Sequence, residues 1–152
     1  MNEDYLAMLG LLGEEKVEFL LVGAHALAAY QIPRATGDID IWVRPTDENA
    51  ARVWRALCRF GAPLERFAES DFAKPDLIAQ FGVAPVRIDF MTTLPGVEFH
   101  EAWENHTTIV VGGLTIPVIG KEQLIRNKRQ AGRRKDLKDV QRLESAKRRK
   151  KR

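Results

Sequence analysis

Hydrophobic residues along the chain switch between a helical and a strand spacing, and these switches predict its elements. In residues 4–16 they recur every three or four positions, which predicts an amphipathic first helix. Residues 18–22 end in an unbroken apolar run, which predicts a buried strand. Gly23 then opens a short helix over about residues 24–30, which Pro33 cannot continue.

A second strand is predicted over residues 38–43, where polar and apolar side chains alternate. The alternation places Asp38, Asp40 and Trp42 on one face and Ile39 and Ile41 on the other. Trp42 is therefore expected either to pack in the core or to stack on a base.

The later part of the chain adds a helix, four strands and two more helices. They are predicted over residues 45–60, over 77–81, 86–91, 107–111 and 114–119, and over about 121–130 and from 135 onward. The pair Gly112-Gly113 predicts a hairpin, because glycines accept the positive φ of a tight turn. This order predicts an α/β (mixed α+β) fold in which helices flank a mixed, twisted sheet and further helices end the chain.

Composition places the chain among ordinary globular proteins, because 45% of its 152 residues are hydrophobic and 30% are charged. No repeat or flexible linker divides it, so a single domain over residues 1–146 is expected. Cys58, the only cysteine, excludes an intrachain disulfide, favours a reducing compartment and is expected to be a small core residue. The acidic N-terminus and the lack of a long apolar run argue against a secretory signal or membrane contact, so a cytoplasmic location is expected.

The net charge of +3 comes from the C-terminal tail, residues 147–152, all of which are Lys or Arg. Without the tail, the 24 basic residues fall to 18, below the 21 acidic ones. Such a tail can be a solvated helix end, or it can attract nucleic acid.

The first candidate for chemistry is the pair Asp38 and Asp40, which lie about 6.5–7 Å apart on one strand face. Alone, the pair also suits an ordinary strand whose polar residues face water. Asp89 occurs in another predicted strand, and if the two strands are neighbours, three carboxylates converge. They would repel one another unless a cation neutralised them, and oxygen ligands suit Mg²⁺ or Mn²⁺.

The second candidate is the turn Gly23-Ala24-His25, where a strand passes into a helix. Free backbone N–H groups and the helix dipole make such a turn suitable for an anion, although many turns of this kind serve packing alone. His25 is expected either to touch a nucleotide from this turn or to pack.

Charged and hydroxyl residues near these candidates have structural alternatives. Arg34 is expected to bind phosphate or to pair with Asp38, and Thr36 to cap the turn before the strand. Asp136 and Asp139, three residues apart on the last helix, are expected to form structural ion pairs; the candidate partners are Arg133, Lys135 and Arg142.

These motifs occur in an order that resembles the nucleotidyltransferase superfamily that includes DNA polymerase beta. The likeness consists of the glycine turn at Gly23, an Arg-x-Thr at 34–36, the D-x-D at 38–40 and the later single Asp89. It covers about residues 17–143 and looks closest to a small bacterial and archaeal branch related to abortive-infection nucleotidyltransferase toxins.

The resemblance implies a two-metal transfer, in which Asp38 and Asp40 ligate both ions. Asp89 would help to hold the catalytic ion and activate an acceptor hydroxyl. Gly23 and its helix N-terminus would cradle the phosphates, and Lys128 would make a further phosphate contact. A solvated helix face is the alternative for Lys128.

Three hypotheses for function follow. The first is an enzyme that uses Mg²⁺ to move a nucleoside monophosphate from an NTP to a hydroxyl of an RNA, a protein or a small molecule. The second is a nucleotide-binding regulatory or toxin–antitoxin module with little turnover. It is motivated by Ala24, where many active relatives carry serine or glycine, and by the lack of an acceptor-binding domain. Without such a domain, any acceptor would be bound by a second copy of the chain, by a partner protein or on the open surface. The third is RNA binding through the basic tail.

Overall fold

The structure, a computed structural model, describes residues 1–150, with side chains described through residue 145. The side chains of the predicted basic tail, 147–152, lie outside the described residues. The helices are α1 (Glu3–Glu14), α2 (Gly23–Ala29), α3 (Asp47–Phe60), α4 (Phe99–Glu104), α5 (Lys121–Ala131) and α6 (Arg134–Lys150), with a 3₁₀ turn at Glu69–Ala73. The strands are β1 (Phe19–Val22), β2 (Asp38–Val43), β3 (Ile78–Phe81), β4 (Arg87–Met91), β5 (Thr107–Val111) and β6 (Leu114–Val118).

The six strands form one mixed sheet in the order β3-β4-β2-β1-β6-β5. The central strand β1 runs antiparallel to β2 and parallel to β6, while β2 and β4 are parallel. Two hairpins, β3–β4 and β5–β6, complete the edges. The predicted mixed sheet with flanking helices is therefore confirmed.

Local signals explain where α3 begins and ends. The Thr46 side chain accepts a hydrogen bond from the backbone N–H of Asn49, and Gly61 ends the helix in the left-handed region at φ 83°. The buried side chain of Asn49 also accepts from the Glu18 N–H at 2.8 Å and donates to the Glu18 carbonyl at 3.0 Å. These bonds fix α3 to the start of β1.

The faces of β2 and β4 that lie opposite the acidic residues are anchored in the core. Ile39 and Ile41 are fully buried. Phe90 packs edge-to-face against Phe72 of the 3₁₀ turn, with ring centroids 6.4 Å apart, and against Phe81 at 6.0 Å. Because the core fixes these side chains, the alternating residues of both strands are held rigidly on the other face.

Two expectations about single residues are settled by the fold. Trp42 is buried and packs edge-to-face against Phe99 at 5.0 Å, so its role is packing. The expectation that Cys58 is a core residue is wrong, because Cys58 is exposed. Leu57 faces the core, and each residue of a helix is rotated by about 100° from the one before it. Cys58, the next residue, is therefore turned away from the core toward solvent.

Helix α4 lies in a stretch that showed no helical signal in the sequence. Its six residues contribute only Phe99 and Ala102 to the core, which is too few to establish a period. None of the helices in the described part of the chain combines the length and apolar character needed to cross a bilayer.

Candidate active site

The strands β2 and β4 are neighbours, which is the condition on which the predicted metal site depends. In their parallel register Asp40 lies opposite Asp89, and Asp38 lies opposite Arg87. Residues opposite each other share a face of the sheet, so these four charged side chains form one patch. Asp38, Asp40 and Asp89, called the carboxylate cluster below, each place one oxygen within 4.8 Å of the others.

Gly23 lies directly against the carboxylate cluster. It follows β1, whose last residue, Val22, pairs with Asp40, and its φ of 68° is in the left-handed region. A Cβ at position 23 would overlap the Asp40 carboxylate and come within 3.0 Å of its Cγ. Both the backbone conformation and the space therefore require glycine here.

Thr36 holds Asp38 from the side of the preceding loop. Its hydroxyl lies 3.0 Å from Asp38 Oδ1, to which it can donate, and 3.3 Å from the Asp38 backbone N–H, from which it can accept. One side chain therefore fixes both the carboxylate and the start of β2.

The carboxylate cluster carries more negative charge than its surroundings compensate. Burial raises the pKa of Asp40 to about 7, and repulsion from Asp38 and Asp89 adds to the rise. A divalent cation bound there would relieve this cost, and carboxylate oxygens are the ligands that Mg²⁺ and Mn²⁺ prefer. The residues present therefore fit a divalent metal.

Arg87 is a residue of this site that sequence reasoning missed. Its Nη2 donates to Asp38 Oδ2 at 2.7 Å and to Asp89 Oδ2 at 3.0 Å, and its Nε donates to Asp89 Oδ1 at 2.8 Å. These bonds raise the pKa of the Arg87 guanidinium. The signal in the sequence was the alternation itself, because residues 87 and 89 of one strand must share a face.

A cavity of about 390 Å³ opens beside Asp38 and Asp40 and brings most of the predicted site residues together. Its lining residues are Gly23, Ala24, Arg34, Ala35, Thr36, Asp38, Asp40, Lys128, Arg133 and Lys135. The four basic residues among them, Arg34, Lys128, Arg133 and Lys135, are called the basic wall below. It lines the same cavity as the two carboxylates, Asp38 and Asp40.

His25 does not line this cavity and, unlike Asp89, which also lies outside the cavity lining, it is not a member of the carboxylate cluster. Its ring packs edge-to-face against Tyr5, with centroids 5.6 Å apart. Burial lowers the pKa of His25, and its buried Nδ1 has no hydrogen-bond partner among the described residues. The ring of His25 therefore packs against α1, and its contact with a nucleotide stays a prediction.

Two fully buried carboxylates on α6, Asp136 and Asp139, hold three of the four residues of the basic wall in place. Arg34 donates two hydrogen bonds to Asp139, one of them from Nη1 to Oδ2 at 2.9 Å. Lys128 Nζ lies 3.2 Å from Asp139 Oδ2 and 3.5 Å from Asp136 Oδ1. Asp136 also accepts from Arg133 Nε at 2.6 Å.

These contacts decide between the alternatives left open by the sequence. The pairing of Arg34 with Asp38 is wrong, since Asp38 pairs with Arg87 and Arg34 with Asp139. The predicted pair of Asp136 with Arg133 is confirmed. Burial raises the pKa of Asp139, but hydrogen bonds from Arg34 and Lys128 outweigh it and leave the pKa below its ordinary value.

Known proteins resemble this chain in sequence and in fold. Residues 1–152 match the model of a family described as "Nucleotidyl transferase of unknown function (DUF2204)". The fold is similar to the crystal structure of a "putative nucleotidyltransferase" from Thermotoga maritima, with a TM-score of 0.63 and 17% identity over 95% of each chain. At that identity the likeness concerns the fold. No curated protein matches the chain.

Proposed function

The chain belongs to this nucleotidyl transferase family of unknown function, and from that membership we propose that it transfers a nucleoside monophosphate from an NTP to a hydroxyl group. The observation that carries the proposal is the carboxylate cluster, with one oxygen of each residue within 4.8 Å of the others. In this proposal Asp38, Asp40 and Asp89 hold Mg²⁺ or Mn²⁺. When bound, the metal would lower the pKa of the acceptor hydroxyl and offset charge on the triphosphate.

The chain's own residues have distinct parts in the proposed reaction. Thr36 keeps Asp38 oriented, and the Gly23 turn leaves room for the Asp40 carboxylate. A carboxylate oxygen of Asp89 would take the proton from the acceptor hydroxyl. The hydroxyl oxygen would then bond to the α-phosphorus, and the bond to the β-phosphate oxygen would break to release pyrophosphate.

The basic wall is proposed to bind the phosphates. Its four positive charges exceed the two negative ones of Asp136 and Asp139 that contact it. A metal ion on Asp38 and Asp40 would neutralise the other two acidic residues of the cavity, which leaves a surplus of positive charge for an anion. Lys128 is almost wholly buried, with a side chain 11% exposed, whereas the Arg133 side chain is 61% exposed. The exposed side chains of Arg133 and Lys135 can therefore adjust to a ligand. Lys128 and Arg34 stay fixed by their contacts with Asp139.

One observation favours the second candidate, a nucleotide-binding module of the same fold with little turnover. Arg87 occupies two members of the carboxylate cluster, and a guanidinium held there opposes the entry of a metal ion. In either case nucleotide is the proposed ligand, while the acceptor and any partner chain stay predictions.

The test is an incubation of the protein with each α-³²P-labelled NTP, Mg²⁺ or Mn²⁺, and total cell extract. The Asp38→Asn/Asp40→Asn variant is compared with wild type and with Glu48→Gln/Glu104→Gln, which removes two exposed carboxylates elsewhere. Label transferred by wild type and the control, but not by the Asp variant, is expected. The absence of transfer with every nucleotide and metal, from folded protein, would contradict the enzyme and leave the nucleotide-binding module.

A further inference from the structure

Arg87 and a divalent metal ion need the same oxygen atoms. We propose that Arg87 is a resident cation of the carboxylate cluster, which the metal must displace and which makes metal binding dependent on nucleotide. The inference rests on the proposed function, because it concerns access to the same site.

The geometry leaves few free oxygens while Arg87 is in place. The guanidinium engages both oxygens of Asp89 and Oδ2 of Asp38, at 2.7–3.0 Å. Thr36 lies against the other oxygen of Asp38. Asp40 is the one member of the cluster to which Arg87 donates no hydrogen bond in the described part of the chain. A metal ion that uses all three carboxylates must therefore take an oxygen of Asp89 that Arg87 already holds. At Asp38 it must use either Oδ2, which Arg87 holds, or Oδ1, which Thr36 contacts.

Arg87 is placed so that its side chain can leave while its backbone stays. It is the first residue of β4, and its N–H donates to the Gly37 carbonyl at 3.2 Å. The side chain is 33% exposed, so the guanidinium has a route to solvent. The strand therefore need not shift when the side chain moves.

A nucleotide supplies the displaced guanidinium with a new partner. Phosphate oxygens accept bidentate hydrogen bonds from arginine as carboxylates do. A metal ion alone offers no such partner and must displace Arg87 into water. The metal is therefore expected to bind weakly alone and more tightly together with a nucleotide.

Removing the guanidinium should change two measurable properties in opposite directions. In Arg87→Gln the three carboxylates lose their resident cation, so the metal-free protein unfolds at a lower temperature. The same change frees the oxygens, so Mn²⁺ binds more tightly. Loss of a purely structural ion pair would lower the unfolding temperature without raising affinity for the metal.

The experiment titrates Mn²⁺ into the full chain, with free ion detected by electron paramagnetic resonance, in the presence and absence of a non-hydrolysable NTP analogue. The matched control is Arg52→Gln, since the Arg52 side chain is 29% exposed and pairs with Glu48 on α3. If Arg87→Gln does not fold, Arg87→Lys is titrated in its place. It keeps the positive charge but cannot make the bidentate hydrogen bonds of a guanidinium.

We expect Arg87→Gln to bind Mn²⁺ at least about tenfold more tightly than wild type, and Arg52→Gln to match wild type. The gain in Mn²⁺ affinity caused by the NTP analogue should be smaller in Arg87→Gln. For Arg87→Lys an affinity above that of wild type is expected.

Unchanged or weaker Mn²⁺ binding by the Arg87 variants would overturn the inference. If wild type then still binds Mn²⁺ through Asp38 and Asp40, the proposed function survives that result. If neither wild type nor the variants bind Mn²⁺ with or without the analogue, the inference and the proposed metal site both fail.

Discussion

Asp40 and Asp89 lie directly opposite each other on two parallel strands, β2 and β4. Like charges in that relation destabilise a sheet, and the chain reduces the cost only in part, through Arg87 beside them. The folded protein therefore stores unfavourable charge at the position where the proposed chemistry needs a cation.

In the metal-free protein, the contribution of Asp40 to stability should fall as the pH rises from about 4 to 7. Asp40 has an ordinary pKa of 3.8 and a folded-state pKa of about 7, so within this window the folded chain holds a proton that the unfolded chain does not. Each pH unit then lowers the free energy of unfolding by at most about 1.4 kcal/mol. Asp40→Asn lacks this dependence and should be more stable than wild type at pH 8, by at most about 4 kcal/mol, which is the slope accumulated over roughly three pH units.

Urea unfolding in EDTA at several pH values measures this difference. Asp47→Asn, which removes a carboxylate from the first turn of α3, is the control. Parallel stability curves for wild type and Asp40→Asn would contradict the raised pKa of Asp40.

Metal should stabilise the wild-type fold through the carboxylate cluster. At 100 times its Kd, a ligand that binds only the folded state adds about 2.7 kcal/mol, which corresponds to a rise of several degrees in Tm for a chain of this size. Mn²⁺ together with an NTP analogue should give that rise in wild type and a clearly smaller one in Asp38→Asn, in which the basic wall can still bind the phosphates. Differential scanning calorimetry measures it, and an equal rise in both proteins would place the metal elsewhere.

Gly23→Ala should damage both the fold and the site. Alanine at a φ of 68° costs about 1–2 kcal/mol, and its Cβ would push the Asp40 carboxylate aside. Gly13→Ala is a matched control, because Gly13 lies in α1 with open space around it, and alanine there should be neutral or slightly stabilising. Chemical denaturation and Mn²⁺ titration test both effects. Wild-type stability in Gly23→Ala would show that the turn adapts.

Asp139→Asn should destabilise the fold by about 3 kcal/mol, because Arg34 and the buried Lys128 lose the charge that they share. Nucleotide affinity should fall as well, since both cations belong to the basic wall. The control is Glu144→Gln, which changes an exposed carboxylate on α6, the helix that also carries Asp139. It removes the partner of Arg129 and should cost less than about 1 kcal/mol. Urea unfolding of the two variants gives the comparison, and equal losses would rule out a special role for the buried pair.

The pH dependence of Asp139 has the opposite sign to that of Asp40. Its folded-state pKa lies below the ordinary 3.8, so its contribution is present above that value and is lost as the pH falls through the folded-state pKa. The difference between wild type and Asp139→Asn should therefore shrink in acid. A difference that stays constant down to the acid limit of folding would contradict the ion pair.

Much of the fold could be predicted from the sequence, because local chemistry determines it. Strand β2 lies where its alternation predicts, and α3 ends at the glycine that its sequence predicts. The carboxylates of β2 could be assigned to one face for the same reason. Local patterns do not show which strand lies beside β2. The prediction that Asp89 lies near Asp38 and Asp40 therefore depended on the sheet order, which only the structure provides.

Contacts between distant parts of the chain escaped prediction for the same reason. Arg34 pairs with Asp139, 105 positions away, and no periodicity links the two. Arg87 was missed for a different reason. The alternation of β4 predicts which face of the strand it lies on, but not the register between β2 and β4 that brings it to Asp38.

The bond between Arg34 and Asp139 also orders events during synthesis. The ribosome makes the carboxylate strands early, but the partner that fixes Arg34 follows 105 residues later, about 5 to 20 s at ordinary translation rates. Until then Arg34 and Lys128 lack their buried counter-charge. A nascent chain therefore carries its acidic residues well before it can assemble the basic wall, so the complete site can form only after Asp139 has been synthesised.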